Sequence, residues 1–197
     1  MKHMIRIAVL TSLALGSTLA LAAPAHYTID PAHSSVEFSI KHMMISKVKG
    51  KFTKFGGEFT YDEAAPQTSS AKVDIETASI NTDEPKRDTH LKSPDFFNAE
   101  KNPHITFVST GVKPMGKDHF QMMGNLTMNG VTHPVTLDVT AGGMGNDPWG
   151  NARAAFSATG KVNRKDYKML WNKGLDKGGV LVGDDVDMMI EVEGIKK

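Results

Sequence analysis

The stretch "HSSVEFSIKHM", residues 33–43, alternates apolar and polar residues and indicates a β-strand with one buried face. Successive side chains of a strand point to opposite sides of a sheet. One face therefore consists of Val36, Phe38, Ile40 and His42, and the other of Ser35, Glu37, Ser39 and Lys41. This pattern predicts a sheet that packs one face against a core and leaves the other in solvent.

Seven further stretches read as strands. Six alternate in the same way, namely "AKVDIETASI" (71–80), "HITFVSTGV" (104–112), "HFQMMGNLTMNG" (119–130), "PVTLDVTAGG" (134–143), "ARAAFSATGKV" (152–162) and "DDVDMMIEVEG" (184–194). The seventh, "VKGKFTKFGGEFTYD" (48–62), predicts one long strand with a bulge or bend at Gly56–Gly57. Asn129–Gly130 predicts a tight hairpin, and "GNDPWGN" (145–151) predicts a second turn. About eight antiparallel strands joined by short turns can close into a barrel wide enough for one small ligand.

Two segments interrupt the strand pattern. Residues 83–101 predict a short helix followed by an irregular crossing, and on that helix Arg87, His90 and Leu91 share a face. Two interpretations of its polar residues stay open. Arg87 and His90 face a ligand head group at the mouth of a cavity, or Arg87 and Asp88 form an ion pair that fixes the segment to the sheet. Residues 164–179 predict a lid or short helical turn.

The first 22 residues have the layout of a secretory signal peptide. Lys2 and Arg6 precede an apolar run from Ile7 to Leu21, and small residues flank a cut after Ala22. Cleavage there leaves residues 23–197 as a single domain that starts at Ala23 and has no stable membrane anchor; an uncleaved anchor is the alternative. The net charge moves from +1 to −1, since two of the 23 basic residues are lost against 22 acidic ones. A near-neutral chain has no overall attraction to nucleic acid or to an anionic membrane.

Catalytic and metal motifs are absent from the sequence. The chain has no cysteine, no HExxH pair, no GxSxG elbow and no glycine-rich nucleotide loop. The sequence therefore predicts no catalytic residue, no metal ligand and no cofactor. A metal site assembled from residues on different strands stays open as an alternative.

Five stretches together resemble the YceI-like, polyisoprenoid-binding proteins and cover essentially the whole chain after the signal peptide. They are residues 27–59, 87–110, 124–139, 160–172 and 178–194, which begin "YTIDPAHSS", "RDTHLKSPDFF", "GNLTMNGVTHP", "GKVNRKDYKMLWN" and "GGVLVGDDVD". The resemblance implies a lipocalin-like, eight-stranded antiparallel barrel that is exported to the periplasm or secreted. It also implies an isoprenoid-type lipid ligand, polyprenyl or quinone-like, and no established catalysis. Lys86 stands where the family commonly has an acidic residue.

The alternation and the resemblance together define the expected ligand-binding residues. They are Phe38, Ile40, His42, Val73, Ile75, Arg87, His90, Phe96, Phe97, Phe107, Met122, Leu126, Leu137, Phe156, Trp171, Met188 and Ile190. The residues expected to point outward are Glu37, Lys41, Asp74, Glu76, Asp187 and Glu191.

Three functional hypotheses stay open at this point. The first is a periplasmic carrier for an isoprenoid lipid. The second is a metal- or haem-associated protein, or an enzyme acting on such a lipid, that uses His42, His90 or His133. The third is a β-module with a filled core that binds a protein partner. Against it, the small residues Ala154, Ala158, Gly124 and Gly160 leave interior space, or, in the alternative interpretation, mark tight curvature of the strands. A homodimer is open in each case.

Overall fold

The structure, a computed structural model, describes residues 24–176 and 178–197. The predicted signal peptide, its cleavage site and the start at Ala23 lie outside these residues. One α-helix, α1, spans Pro85–Lys92. The strands are β1 (Ala25–Ile29), β2 (Ser35–His42), β3 (Ser46–Phe52), β4 (Phe55–Tyr61), β5 (Ser70–Glu76), β6 (Ile80–Asn81), β7 (His104–Gly116), β8 (His119–Met128), β9 (Val131–Asn146), β10 (Ala152–Asn163) and β11 (Val182–Lys196). Within the described residues, no helix has the length and apolar character that crossing a membrane requires.

Eight of these strands close into an antiparallel barrel, as the sequence predicted. The ring runs β1–β4–β5–β7–β8–β9–β10–β11, and β11 pairs with β1 to complete it. The other strands extend the wall on one side, because β2 pairs with the N-terminal part of β11, β3 with β2, and β6 with β3. The outer edge of β3 has only the two residues of β6 as a strand partner among the described residues.

The prediction of one long strand over residues 48–62 is wrong. The strand is interrupted at Thr53–Lys54, between β3 and β4. Thr53 donates its backbone N–H and its hydroxyl to the carbonyl of Ser79. No bulge interrupts the pairing of β4 with β5 at Gly56–Gly57. Gly57 instead has a φ of 149°, and a Cβ at this position would lie 2.1 Å from the carbonyl oxygen of Lys72. The glycine is needed because the neighbouring backbone approaches so closely.

The predicted Asn-Gly hairpin joins β8 to β9. Asn129 and Gly130 have φ values of 49° and 71°, so both take the left-handed conformation that a two-residue hairpin turn requires. Asn129 also donates from its side-chain amide to the carbonyl of Tyr167. This turn therefore ties the β8–β9 end of the barrel to the segment that follows β10.

Aromatic side chains close the barrel at the end where β1 begins. Tyr27 stacks on Phe59 with ring centroids 4.9 Å apart, and Phe156 meets Phe59, Tyr61 and Phe120 at 5.4, 4.8 and 6.2 Å. Offset and edge-to-face contacts of this kind add to the stabilisation from burial alone. These rings fill the interior at this end, which we call the closed end.

Gly124 and Gly160 do not leave empty space, so the first of the two interpretations of these small residues is wrong for the glycines. A Cβ on Gly124 would lie 2.3 Å from the ring of Phe107, and one on Gly160 would lie 2.7 Å from a methyl of Leu137. Side chains from the neighbouring strands already fill the space beside these glycines. Glycine is required there because larger side chains would collide with the rings and methyl groups packed over the backbone.

Candidate functional site

The barrel encloses an apolar cavity of about 530 Å³. This size lies within the range of about 300–1,000 Å³ that is typical of ligand pockets. All seventeen residues expected to bind a ligand lie around it, from strands β2, β5, β7, β8, β9, β10 and β11, from α1 and the crossing after it, and from the segment after β10. Whether these residues contact a ligand stays a prediction.

Several inward-pointing side chains are only partly buried although they lie inside the barrel. Phe38, Val73 and Phe156 belong to this group, whereas Phe120 at the closed end is fully buried. Partial exposure inside a closed barrel requires open space beside the side chain. The interior is therefore not the completely filled core of a β-module.

Four of the six side chains predicted to point outward make polar contacts on the barrel exterior, namely Asp74, Glu76, Asp187 and Glu191, and Glu191 accepts from the hydroxyl of Ser157. Asp74 accepts from His104, and Glu76 from Lys54. Asp187 contacts Lys47 and Lys161, which lowers the pKa of its carboxyl group mainly through the hydrogen bond from Lys47. The alternation in these strands thus separates an apolar interior from a charged exterior.

Helix α1 lies at the other end of the cavity, which we call the mouth. Glu84 caps the helix by accepting the backbone N–H groups of Lys86 and Arg87 at 3.3 and 2.7 Å, and Pro85 occupies the first turn, where a missing N–H costs nothing. The helix ends before Ser93–Pro94. As predicted from their spacing, Arg87, His90 and Leu91 share the face that lines the cavity.

Arg87 is fixed by Thr82 and not by Asp88. Its Nε donates to the Thr82 hydroxyl at 2.8 Å, and its Nη2 donates to the Thr82 carbonyl at 2.9 Å. Asp88 accepts separately from the backbone N–H and the hydroxyl of Thr82, at 2.9 and 2.6 Å. The predicted Arg87–Asp88 ion pair is wrong: in the described part of the chain, no carboxylate lies within 4.0 Å of the Arg87 guanidinium. Arg87 therefore anchors α1 and also presents an unpaired positive charge at the mouth.

The crossing segment and the segment after β10 meet at an aromatic cluster. The His90 ring lies 4.9 Å from Trp171 and 5.0 Å from Phe96, edge to face in both cases, and Phe96 lies 5.5 Å from Trp171. His90 Nε2 also contacts Asp95 at 2.9 Å. Residues that the sequence assigned to two separate elements thus form one cover over the cavity.

The segment after β10, residues 164–176 and 178–181, is held over the mouth by Arg164. Its guanidinium donates to the backbone carbonyls of Met169, Trp171 and Gly183 and to the carboxylate of Asp184. The side chain is only 3% exposed, and burial lowers the pKa of Arg164 while Asp184 opposes that shift. Truncating Arg164 would leave three backbone carbonyls without this donor, so the position of Trp171 depends on it.

Arg164 and Thr82 are the residues at this site that the sequence did not reveal. Each acts through hydrogen bonds to backbone or to a distant side chain, and such partners follow no periodic pattern. Glu37 and Lys41 were predicted to point outward, yet both contribute to the lining of the cavity. Lys86 was noted only as a departure from the family pattern and also contributes to the lining, near the mouth. A cluster of basic residues near Arg87 in sequence was the available signal for Lys86.

Two of the three histidines named in the metal hypothesis have other partners, and the third, His42, lines the cavity. His90 contacts Asp95, and His133 contacts the backbone carbonyl of Asp166 at 3.1 Å.

Asp30, His33 and Glu193 do bring three potential ligand atoms within 4.8 Å of one another in the described chain. The guanidinium of Arg153 already contacts Asp30 at 2.8 Å and Glu193 at 2.6 Å, so a positive charge occupies this group.

Arg153 also stabilises the turn between β9 and β10 at the closed end. Its Nε donates to Asp147, which further accepts from Asn151 and from the backbone N–H of Trp149. Burial acts to raise the pKa of Asp147, but the hydrogen bonds from Asn151, Arg153 and Trp149 outweigh it and hold that pKa at about 2. This network accounts for the predicted turn at residues 145–151.

A closed antiparallel barrel around an apolar cavity defines a lipocalin-like barrel as the class of this molecule. The model of the YceI-like domain matches residues 27–194, and the chain belongs to this family. Curated relatives include a UPF0312 protein of Azotobacter vinelandii, 42% identical over 95% of this chain and 97% of the relative. A UPF0312 protein of Serratia proteamaculans is 44% identical over 93% and 91%.

Solved structures show the same fold. BcnA of Burkholderia cenocepacia superimposes with a TM-score of 0.74 at 26% identity, over 84% of this chain and 98% of its own. The YceI protein of Campylobacter jejuni gives 0.67 at 33% identity, over 80% and 90%. A polyisoprenoid binding domain from Saccharophagus degradans gives 0.61 over 88% and 99%, and its 13% identity supports the fold alone.

Proposed function

We propose that this protein is a periplasmic carrier that holds the tail of an isoprenoid lipid in its barrel. The observation that carries the proposal is the apolar cavity of about 530 Å³, which aromatic rings fill at one end and which Lys86 and Arg87 border at the other, where Glu84 is engaged as the cap of α1. An amphiphile with a long apolar tail and an anionic head matches this distribution. The ligand class is suggested by the fold neighbour from Saccharophagus degradans, which is named for binding polyisoprenoids.

The head group of such a lipid would lie beside Arg87. Thr82 holds the guanidinium in place, and its charge has no carboxylate partner within 4.0 Å in the described residues. A charge-assisted hydrogen bond to a phosphate would use this arrangement. Trp171 and Phe96 would cover the first isoprene units below the head group.

The volume of the cavity limits how much of the lipid it can enclose. At roughly 30 Å³ per carbon, which is close to the share of a water molecule in the liquid, this cavity holds about 18 carbons. About 18 buried atoms at ~0.3 kcal/mol each contribute ~5 kcal/mol, which corresponds to a Kd on the order of 0.1 mM. Tighter retention would require head-group contacts or a cavity that expands around a longer chain.

Export to the periplasm is proposed from the first 22 residues. Intact mass of the protein recovered from its native host tests this directly, and a chain that retains residues 1–22 would contradict it. Mass spectrometry of an organic extract of the same sample tests the ligand. Recovery of an isoprenoid lipid at a defined ratio to protein supports a carrier, whereas stoichiometric metal or haem would favour the second hypothesis.

A further inference from the structure

The hairpin between β2 and β3 ends in an exposed apolar tip formed by Met43, Met44 and Ile45. These residues are 42%, 56% and 84% exposed. Met43 and Met44 have φ values of 51° and 63°, a left-handed conformation that side chains other than glycine and asparagine rarely adopt. The Asn-Gly turn between β8 and β9, by contrast, uses residue types that adopt positive φ readily, which is all that a hairpin turn requires for folding. The two methionines are unfavourable at positive φ, and all three side chains expose apolar surface to water. This combination points to a contact outside the barrel.

The tip lies at the mouth of the cavity. The backbone N–H of Met43 donates to the carbonyl of Leu181 at 2.8 Å, and both Leu181 and His42 line the cavity. Val180, beside Leu181, is a further exposed apolar residue on the segment after β10. Whatever binds the tip is therefore brought next to the opening of the barrel.

Three lysines lie beside the tip on one face of the same hairpin, and Lys41 among them also borders the cavity at the mouth. Lys41 and Lys47 lie directly opposite each other, and Lys49 is two residues further along β3. Lys47 contacts Asp187, whereas Lys41 and Lys49 have no carboxylate within 4.0 Å among the residues that the structure describes. The net charge of the chain is near zero because it averages over the whole surface, and it does not reveal this local group. The closed end has exposed apolar residues as well, but there they share the surface with Asp62, Glu63 and Asp118 around Tyr61.

We propose that the β2–β3 hairpin docks the protein on an anionic phospholipid bilayer, with Met43, Met44 and Ile45 inserted among the head groups. An apolar tip surrounded by unpaired lysines matches the apolar interior and negative surface of such a bilayer. The contact is reversible because three side chains bury little apolar area. Docking would present the mouth to the membrane, where a lipid could enter without crossing water.

The test measures sedimentation with vesicles of phosphatidylcholine alone and of phosphatidylcholine mixed with an equal amount of phosphatidylglycerol. Wild-type protein, purified in its exported form, is expected to bind the mixed vesicles more tightly and to lose that binding as NaCl is raised. Each lysine near an anionic surface contributes roughly a five-fold factor, so Lys41→Gln with Lys49→Gln should weaken partitioning about 25-fold. Ile45→Glu should weaken it at least ten-fold.

Two matched variants control for exposure and charge. Trp149→Glu changes a side chain that is 81% exposed at the closed end, and Lys113→Gln with Lys117→Gln removes two exposed charges there. Both should bind vesicles as wild type does. Equal binding by all variants, or no binding by wild type, overturns the proposal. If Ile45→Glu instead dissociates a dimer seen by analytical ultracentrifugation while vesicles are not bound, the tip is a contact between copies and the membrane assignment is wrong. The vesicles contain no isoprenoid, so this result is independent of the proposed ligand.

Discussion

Filling part of the cavity with a larger side chain should shorten the lipid that the barrel accepts. Ala158 lies on the inner face of β10, opposite Val139 of β9 and Ile190 of β11, and it lines the cavity. Ala158→Phe adds six carbons, which at roughly 30 Å³ each remove about 180 Å³, or a third of the space. About six ligand atoms are then excluded. At ~0.3 kcal/mol per atom the loss is ~2 kcal/mol, which is about 30-fold in Kd.

The assay is calorimetric titration with geraniol, farnesol and geranylgeraniol, which differ by one isoprene unit each. For wild type, the affinity should rise along the series and level off near the chain length that fills the cavity. For Ala158→Phe, it should level off about one unit earlier. Thr159→Phe is the matched control, because Thr159 is the next residue of β10 and points outward.

Stability provides a second reading of the same variant. Inserting a ring into a filled core costs typically about 1–3 kcal/mol, whereas a ring that enters open space costs little. Ala158→Phe should therefore unfold at nearly the wild-type urea concentration. A strongly destabilised variant, or an unchanged chain-length profile in a folded one, would refute the reasoning from cavity volume.

Three further predictions concern the mouth, the packed wall and the closed end. Arg87→Ala should weaken retention of an anionic lipid by about 1.5–3 kcal/mol in equilibrium exchange. Arg87→Lys should recover part of that loss if the positive charge is what matters. If circular dichroism shows that the alanine variant is unfolded, Arg87 is a structural anchor and its head-group role is wrong. Phe107→Ala should reduce the free energy of unfolding by ~3–5 kcal/mol because the ring packs over Gly124, while Glu76→Ala should stay within about 0.5 kcal/mol, and equal effects would reject the assigned faces. The pKa of Asp147 lies at about 2, below its ordinary value of 3.8, so the folded state binds fewer protons than the unfolded state and stability should fall as the pH drops through this interval. Urea titrations of Asp147→Asn should show a shallower fall of stability with pH. An unchanged pH dependence in this variant would exclude the Asp147 carboxyl as its source.

The alternation of residues determined the barrel and its two faces. Phe38, Phe107 and Met188 point inward and Asp74 and Asp187 outward because a strand repeats every two residues and one register buries the apolar set. The Asn129–Gly130 turn was equally readable, since only a few residue types take positive φ without strain. These features are local, so neighbouring letters carry enough information to specify them.

Tertiary structure alone decided the break at Thr53–Lys54, the filling of the space beside Gly124 and Gly160, and the choice of Thr82 as the partner of Arg87. Each depends on atoms far apart in the chain: the carbonyl of Ser79 receives Thr53, and Phe107 lies over Gly124. Arg164 holds the cover of the mouth by hydrogen bonds to backbone carbonyls. Every residue has a backbone carbonyl, so the sequence does not indicate which ones will accept these bonds. Local propensity therefore specifies which residues face inward, but the shape and opening of the cavity depend on packing between strands that meet only when the barrel closes.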